Sequence, residues 1–146
     1  MKPYFAILLL LTTAFAQTKP VPAATEKKQQ EAITAASKAA AGWLSLLDFG
    51  KYNQAWDASS QIFKAQVKRE EWNKSIVGLR APMGKAGARN ATAVGYQTKW
   101  AHAPDGQYVL IEYNTKFQNG SATEMIALAL EKDGAWRVGG YSIKRQ

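Results

Sequence analysis

The hydrophobic periodicity of the chain changes near Arg89, and this change restricts the fold more than any other feature of the sequence. Before Arg89, apolar residues recur every three or four positions, which is typical of amphipathic helices. After it, apolar and polar residues alternate between short turn sequences, which predicts β-strands. Helices followed by hairpin-connected strands predict an α+β fold, with the helices packed on one face of an antiparallel sheet.

Three helices are predicted in the first part of the chain. The first runs from a cap at Thr25 to about Leu47. A short second helix contains Tyr52 and Trp56, which are four positions apart and share one face. The third begins near Arg69, and its predicted buried stripe comprises Trp72, Ile76, Leu79 and Met83.

Four strands are predicted from the turn sequences that separate them. The sequence PDG at 104–106 is typical of a type I turn, and Asn119-Gly120 is typical of a two-residue hairpin. The glycine pair Gly139-Gly140 predicts a bulge in the last strand. The predicted strands are residues 90–100, 108–117, 122–131 and 136–143, which form a bent four-stranded antiparallel meander.

The first sixteen residues match a signal peptide. Lys2 supplies the positive start, residues 5–15 are mostly apolar, and Ala14-Phe15-Ala16 is a small-x-small cleavage site. An uncleaved anchor helix is the alternative, but a spanning helix needs roughly 20 apolar residues and this stretch has about a dozen. We therefore expect a periplasmic or extracellular protein without a transmembrane anchor after cleavage. The expected organisation is a signal peptide at 1–16, a flexible linker at 17–24 and one domain at 25–146.

Composition excludes several classes of chemistry. The chain has no Cys and one His, so disulfides, thiolate sites and multi-histidine metal sites are excluded. We expect no metal and no cofactor.

The formal net charge is +8, and many basic residues are concentrated in one stretch. A solvated basic face explains this stretch, and a weak contact with an anionic surface such as lipid headgroups or cell-wall polymer is the alternative. No nucleic-acid-binding module accompanies it, so nucleic acid is not an expected partner. The basic residues of this stretch are Lys64, Lys68, Arg69, Lys74, Arg80, Lys85 and Arg89.

A set of motifs occurs together in the chain: LDFGKY at 47–52, REEW at 69–72, RAPMG at 80–84, PDGQY at 104–108 and WRVGGYSI at 136–143. In combination they resemble a family of small bacterial exported proteins catalogued as a domain of unknown function, number 4019. The resemblance covers about residues 31–143. It implies a cone-like fold similar to nuclear transport factor two and ketosteroid isomerase, and it implies no catalytic residues. Lys68 stands where similar proteins often have a capping Ser or Thr.

Glu124 is the least ordinary polar residue, because it lies in the most apolar predicted strand and shares the parity of Ile126. A buried carboxylate requires hydrogen-bonding or cationic partners. The candidate partners are the hydroxyl groups of Tyr113 and Tyr141 and the guanidinium group of Arg137. These four residues are the candidate ligand-binding residues, and no catalytic residues are predicted.

Three other polar residues, His102, Asp48 and Asp57, are expected to have structural roles instead of functional ones. His102 is expected to be a solvated turn residue beside the PDG sequence. Asp48 and Asp57 flank the second helix, where aspartate commonly caps or ends helices.

The expected function is that of a small exported binding or accessory module without catalysis, whose partner is a small molecule or an envelope protein. One alternative is a small-molecule isomerase or lyase with Glu124 as acid/base and Tyr113 or Tyr141 as donor. Another is a subunit of an envelope assembly. A homodimer is compatible with each of these.

Overall fold

The structure is a computed structural model that describes residues 22–146. The expected signal peptide and residues 17–21 of the expected linker lie outside the described residues. Helices precede strands along the chain, as predicted. The helices are α1 (Ala23–Asp48), α2 (Tyr52–Asp57), α3 (Gln61–Gln66) and α4 (Arg69–Arg80), followed by a 3-10 turn (Ala81–Met83). The strands are β1 (Ala86–Gln97), β2 (Tyr108–Phe117), β3 (Gly120–Leu130) and β4 (Trp136–Arg145).

The four strands form one antiparallel sheet in the order β1-β2-β3-β4. This confirms the α+β prediction of helices followed by a four-stranded antiparallel meander. β2 has the predicted bounds, whereas β1 begins four residues earlier than predicted and ends at Gln97. The chain leaves β1 before Trp100 because that side chain packs on the sheet instead of continuing the strand.

The helices cover one face of the sheet. Val109 and Ile111 of β2 and Ile126 of β3 are buried on this helix-covered face. Two alanines of α1, Ala36 and Ala40, are completely buried at the contact, which lets the helix approach the sheet closely. We call the opposite side the outer face.

Four aromatic side chains fill the space between the helices and the sheet. Trp43 of α1, Phe63 of α3, Trp72 of α4 and Tyr141 of β4 pack with ring centroids 5.1–6.4 Å apart. Buried indole N–H groups need acceptors, and Trp43 Nε1 donates to the Ala55 carbonyl at 2.8 Å. The interior of the domain is therefore occupied by side chains.

The sequence analysis predicted three helices and missed α3. Ser60 caps this helix, because its hydroxyl accepts a hydrogen bond from Phe63 N at 3.2 Å. Ser60 N also donates to the Val138 carbonyl at 2.8 Å, which attaches the start of α3 to β4. Unlike α2, which the spacing of Tyr52 and Trp56 identified, α3 contains no pair of apolar residues four positions apart.

The predicted bulge in the last strand is confirmed. The register between β3 and β4 shifts between Ala127 and Leu128, which leaves Gly139 without a partner. A Cβ atom at Gly139 would lie 2.9 Å from Trp100 Cζ3, so only glycine leaves room for this indole. Trp100 thus covers one end of the outer face together with Tyr108.

Candidate functional site

Four charged side chains from four elements meet on the helix-covered face, near the end of the sheet that carries the β2–β3 turn. We call Asp48 of α1, Arg80 of α4, Arg89 of β1 and Glu124 of β3 the ion network. Two carboxylates and two guanidinium groups give the ion network no net charge. The Arg80 side chain is 4% exposed and that of Glu124 is 0% exposed, so the inner half of the ion network is fully desolvated.

Glu124 accepts four hydrogen bonds. Its Oε1 accepts hydrogen bonds from Arg89 Nε at 2.8 Å and from Thr115 Oγ1 at 2.5 Å. Its Oε2 accepts hydrogen bonds from Arg80 Nη1 at 3.2 Å and from the Tyr141 hydroxyl. Donors of this kind satisfy a buried carboxylate, and two of them are cationic. Both oxygens are therefore occupied by groups of the protein itself.

Asp48 forms the outer half of the ion network. Arg89 Nη1 and Nη2 donate to its two oxygens at 2.8 and 2.9 Å, and Arg80 Nη2 lies 2.5 Å from Oδ1. Burial acts to raise the pKa of the Asp48 carboxyl, but the hydrogen bonds from Arg89 and Arg80 outweigh it and hold the pKa below its usual value. Asp48 is therefore ionised wherever the domain is folded near neutral pH.

The two candidate tyrosines have different environments. Tyr141 donates to Glu124, and its burial beside that carboxylate raises the pKa of its hydroxyl well above the usual value. Tyr113 is the register partner of Glu124 on β2 and is half-buried. Burial also raises the pKa of Tyr113. Both phenols stay neutral, and of the two it is Tyr141 that bonds to Glu124.

The structure does not bring Arg137 to Glu124. Arg137 is paired with Ala129 on β3, whereas Glu124 is paired with Ile143 of β4. Its Nη1 lies 3.0 Å from Glu131 Oε1, and its Nη2 lies 2.8 Å from Asp133 Oδ2. Arg137 thus belongs to a separate set of two ion pairs at the β3–β4 turn.

Sequence reasoning missed Arg80 and Arg89 as partners of Glu124, and it missed Asp48 as the second carboxylate that pairs with both arginines. The predicted buried residue Leu79 is 48% exposed, and Arg80 occupies the buried position instead. Arg80 lies four and eight positions after Ile76 and Trp72, so helical spacing does point to it. Arginine at such a position is buried only when carboxylates neutralise it.

The basic stretch does not form one face. Arg80 and Arg89 belong to the ion network, and Arg69 pairs with Asp57. Lys64 donates to the Asp57 carbonyl at 2.7 Å. Near one end of the sheet, Lys85 borders a depression of about 400 Å³ together with Lys116 of β2.

Among residues 22–146, no group of three or more His, Cys, Asp or Glu is arranged to hold a metal ion. No helix in the same range is both long and apolar enough to cross a membrane. His102 is exposed with a left-handed backbone (φ 63°), in the turn region where it was expected.

Comparison with known proteins identifies a structure of similar fold and the family of this chain. No curated protein matches the chain. A solved structure from Catenulispora acidiphila is similar with a TM-score of 0.55 and 12% sequence identity, over 82% of this chain and 94% of that chain. At this identity the similarity shows the fold alone. Residues 39–141 match a family described as a protein of unknown function (DUF4019), which confirms the resemblance of the motifs, and the chain belongs to that family.

Proposed function

We propose that this protein is a small exported accessory module that binds its partner through its surface and carries out no catalysis. One observation carries this proposal: among residues 22–146, Glu124 is the fully buried carboxylate, and four donors of the protein occupy its oxygens. The ion network then has a structural role, since it joins α1, α4, β1 and β3.

The isomerase or lyase alternative requires Glu124 to exchange a proton with a substrate. A general base must reach the substrate proton within hydrogen-bond distance, directly or through one water. The side chain of Glu124 is 0% exposed, and its oxygens already accept from Arg80, Arg89, Thr115 and Tyr141. A substrate would have to displace two guanidinium groups, which argues against this alternative.

The filled interior supports action through the surface. Trp43, Phe63, Trp72 and Tyr141 occupy the region between helices and sheet where a small ligand would otherwise bind. Small-molecule sites are concave and enclose most of the ligand. A partner of this domain would therefore meet an outer surface instead.

Export and a cone-like shape are parts of the same proposal. The charged start, apolar stretch and small-x-small motif of residues 1–16 support export. The bulge at Gly139 supports a bent sheet, since bulges bend and twist the strand that contains them.

Fragment screening by protein-observed NMR tests the proposal. The mature protein is titrated with a library of small polar and aromatic fragments, and amide shifts of Thr115, Glu124 and Tyr141 report on the ion network. We expect no fragment to shift these three amides at millimolar concentration. A fragment that shifts them in the wild type, and no longer does so in a folded Glu124→Gln variant, would overturn the proposal in favour of an interior site.

A further inference from the structure

The outer face carries a row of polar side chains across all four strands. Strand register places Asn90 beside Asn114, Asn114 beside Thr123, and Thr123 beside Lys144. All four have the parity opposite to the buried Thr115 and Ala122, so they lie on the outer face. Amide, hydroxyl and ammonium groups thus form a continuous strip for hydrogen bonding.

Two further lysines lie beside this strip, towards the β2–β3 turn. Lys116 follows Thr115 and so has the parity of the outer face. Lys85 directly precedes β1 and borders the same depression as Lys116, which places it next to the outer face. The two lysines border the depression of about 400 Å³, together with Gly87 and Gln118.

Lys85, Lys116 and Lys144 are exposed, and no salt bridge in residues 22–146 includes any of them. Glu112 lies two positions before Asn114 on β2 and so shares the outer face with the strip. Its carboxylate accepts a hydrogen bond from the Thr92 hydroxyl at 2.7 Å. Three unneutralised cations on one face attract anionic groups of a partner.

We propose that this strip binds an anionic polysaccharide: the lysines contact its carboxylate groups, and Asn90, Asn114 and Thr123 bond to its hydroxyl groups. The proposal rests on the proposed surface function and names its partner. An extended polymer fits because the strip crosses four strands, about 14 Å at the usual strand spacing.

The surroundings of the strip favour a hydrated polymer over a lipid bilayer. Peripheral membrane binding combines basic residues with protruding apolar side chains that enter the interface. The exposed large apolar side chains of residues 22–146 lie elsewhere: Phe49, Val77 and Leu79 belong to the helical part, and Val94 has the parity of the helix-covered face. The lysine region of the outer face therefore offers charge and hydrogen bonds without an apolar anchor.

The test measures binding of polygalacturonate oligomers to the mature wild-type protein at low salt, with neutral dextran of the same length as the control ligand. The triple variant Lys85→Gln, Lys116→Gln, Lys144→Gln removes the three cations. A matched triple variant, Lys74→Gln, Lys99→Gln, Lys132→Gln, makes the same change in net charge at exposed positions elsewhere. Thermal unfolding of both variants shows that they are folded.

We expect polygalacturonate to shift the amides of Asn114 and Thr123 and dextran to leave them unchanged. The strip triple variant should bind about tenfold more weakly, which corresponds to about 1.4 kcal/mol distributed over three exposed ionic contacts. The matched triple variant should retain nearly all of the affinity. Asn114→Ala, which changes no charge, should weaken binding by a few fold.

Three results would overturn the proposal. Equal weakening in both triple variants would mean that only the overall charge matters. Stronger binding to phosphatidylglycerol vesicles than to polygalacturonate, with shifts at the same amides, would identify a bilayer as the partner. Absence of polygalacturonate binding at low salt would rule out an anionic polysaccharide as the partner. The proposed surface function would not be affected, because the NMR fragment screen tests it separately.

Discussion

Arg80 and Glu124 are 44 positions apart in the chain, yet Arg80 Nη1 lies 3.2 Å from Glu124 Oε2 and both side chains are almost completely buried. Each charge is stable in the interior because the other is present, together with Asp48 and Arg89. Removing one member of such a set leaves an uncompensated buried charge, which destabilises a protein more than removing both.

Glu124→Ala should therefore lower the free energy of unfolding by about 3–5 kcal/mol, since it leaves two guanidinium groups and two hydroxyls without their acceptor. Glu124→Gln should recover a minor part, because its amide nitrogen faces donors and carries no negative charge. Urea unfolding of both variants measures this, with exposed Glu31→Ala as the control. Wild-type stability in both variants would contradict the structural role of the ion network.

Acidification should lower the stability of the domain, because it protonates the Asp48 carboxylate. Its folded-state pKa lies below the usual value, so the unfolded chain binds more protons as pH falls. The contribution of Asp48 is complete above its usual pKa of about 4 and is lost as pH falls through the folded-state pKa.

Melting temperatures between pH 5 and pH 2.5 measure this contribution. Asp48→Asn should have a lower melting temperature than the wild type at pH 5. Its melting temperature should then decrease less than that of the wild type as the pH falls. Asp105→Asn, at an exposed turn position, should follow the wild type. Parallel curves for wild type and Asp48→Asn would contradict the prediction.

Lys68→Ser should stabilise the domain by about 0.5–1 kcal/mol. Lys68 has extended backbone angles at the start of α4, and its N–H already donates to Glu71 Oε2 at 3.4 Å. A serine hydroxyl would add the missing acceptor and complete the reciprocal cap. Thermal unfolding measures the gain in stability. Lys68→Ala is the control, because it removes the lysine charge without adding a capping hydroxyl group. An equal gain in both variants would assign the effect to charge alone.

Gly139→Ala should destabilise the domain by about 1–3 kcal/mol, because the new methyl group meets the Trp100 ring at 2.9 Å. The indole N–H resonance of Trp100 should shift in the same variant. Gly95→Ala is the matched control, since a Cβ atom at that strand position meets no atom within 4 Å. Wild-type stability of Gly139→Ala would contradict the packing of Trp100 on β4.

Export should remove residues 1–16. The intact mass of the protein from the periplasm or medium should correspond to a chain that begins at Gln17. Replacing Ala16 by Leu, which no longer fits a small-x-small site, should block this processing. A full-length chain extracted from the membrane with the wild-type sequence would show an uncleaved anchor instead.

Local sequence patterns were sufficient for the order of the elements. The spacing of apolar residues and the turn sequences at 104–106 and 119–120 identified three helices and four strands. Errors occurred where tertiary contacts decide the structure: Trp100 leaves β1 to pack against Gly139, and Ser60 caps a helix that contains no pair of apolar residues four positions apart.

The ion network was predictable only in part. Parity placed Glu124 among Ile126 and Leu128, and Tyr141 was one of its expected partners. Arg80 and Arg89 were assigned to a basic stretch, because charge alone does not tell a buried arginine from a solvated one. Only the contact between α4, β1 and β3 shows that these two arginines compensate Glu124.

The irregular pairing of β1 has a consequence for self-association. β1 is a twelve-residue edge strand, and its register with β2 shifts twice, between Ala86 and Arg89 and between Ala91 and Ala93. Bulges twist an edge strand away from the flat geometry that another strand needs for pairing. A long edge of small residues would otherwise be a template for edge-to-edge aggregation, and these two irregularities oppose it.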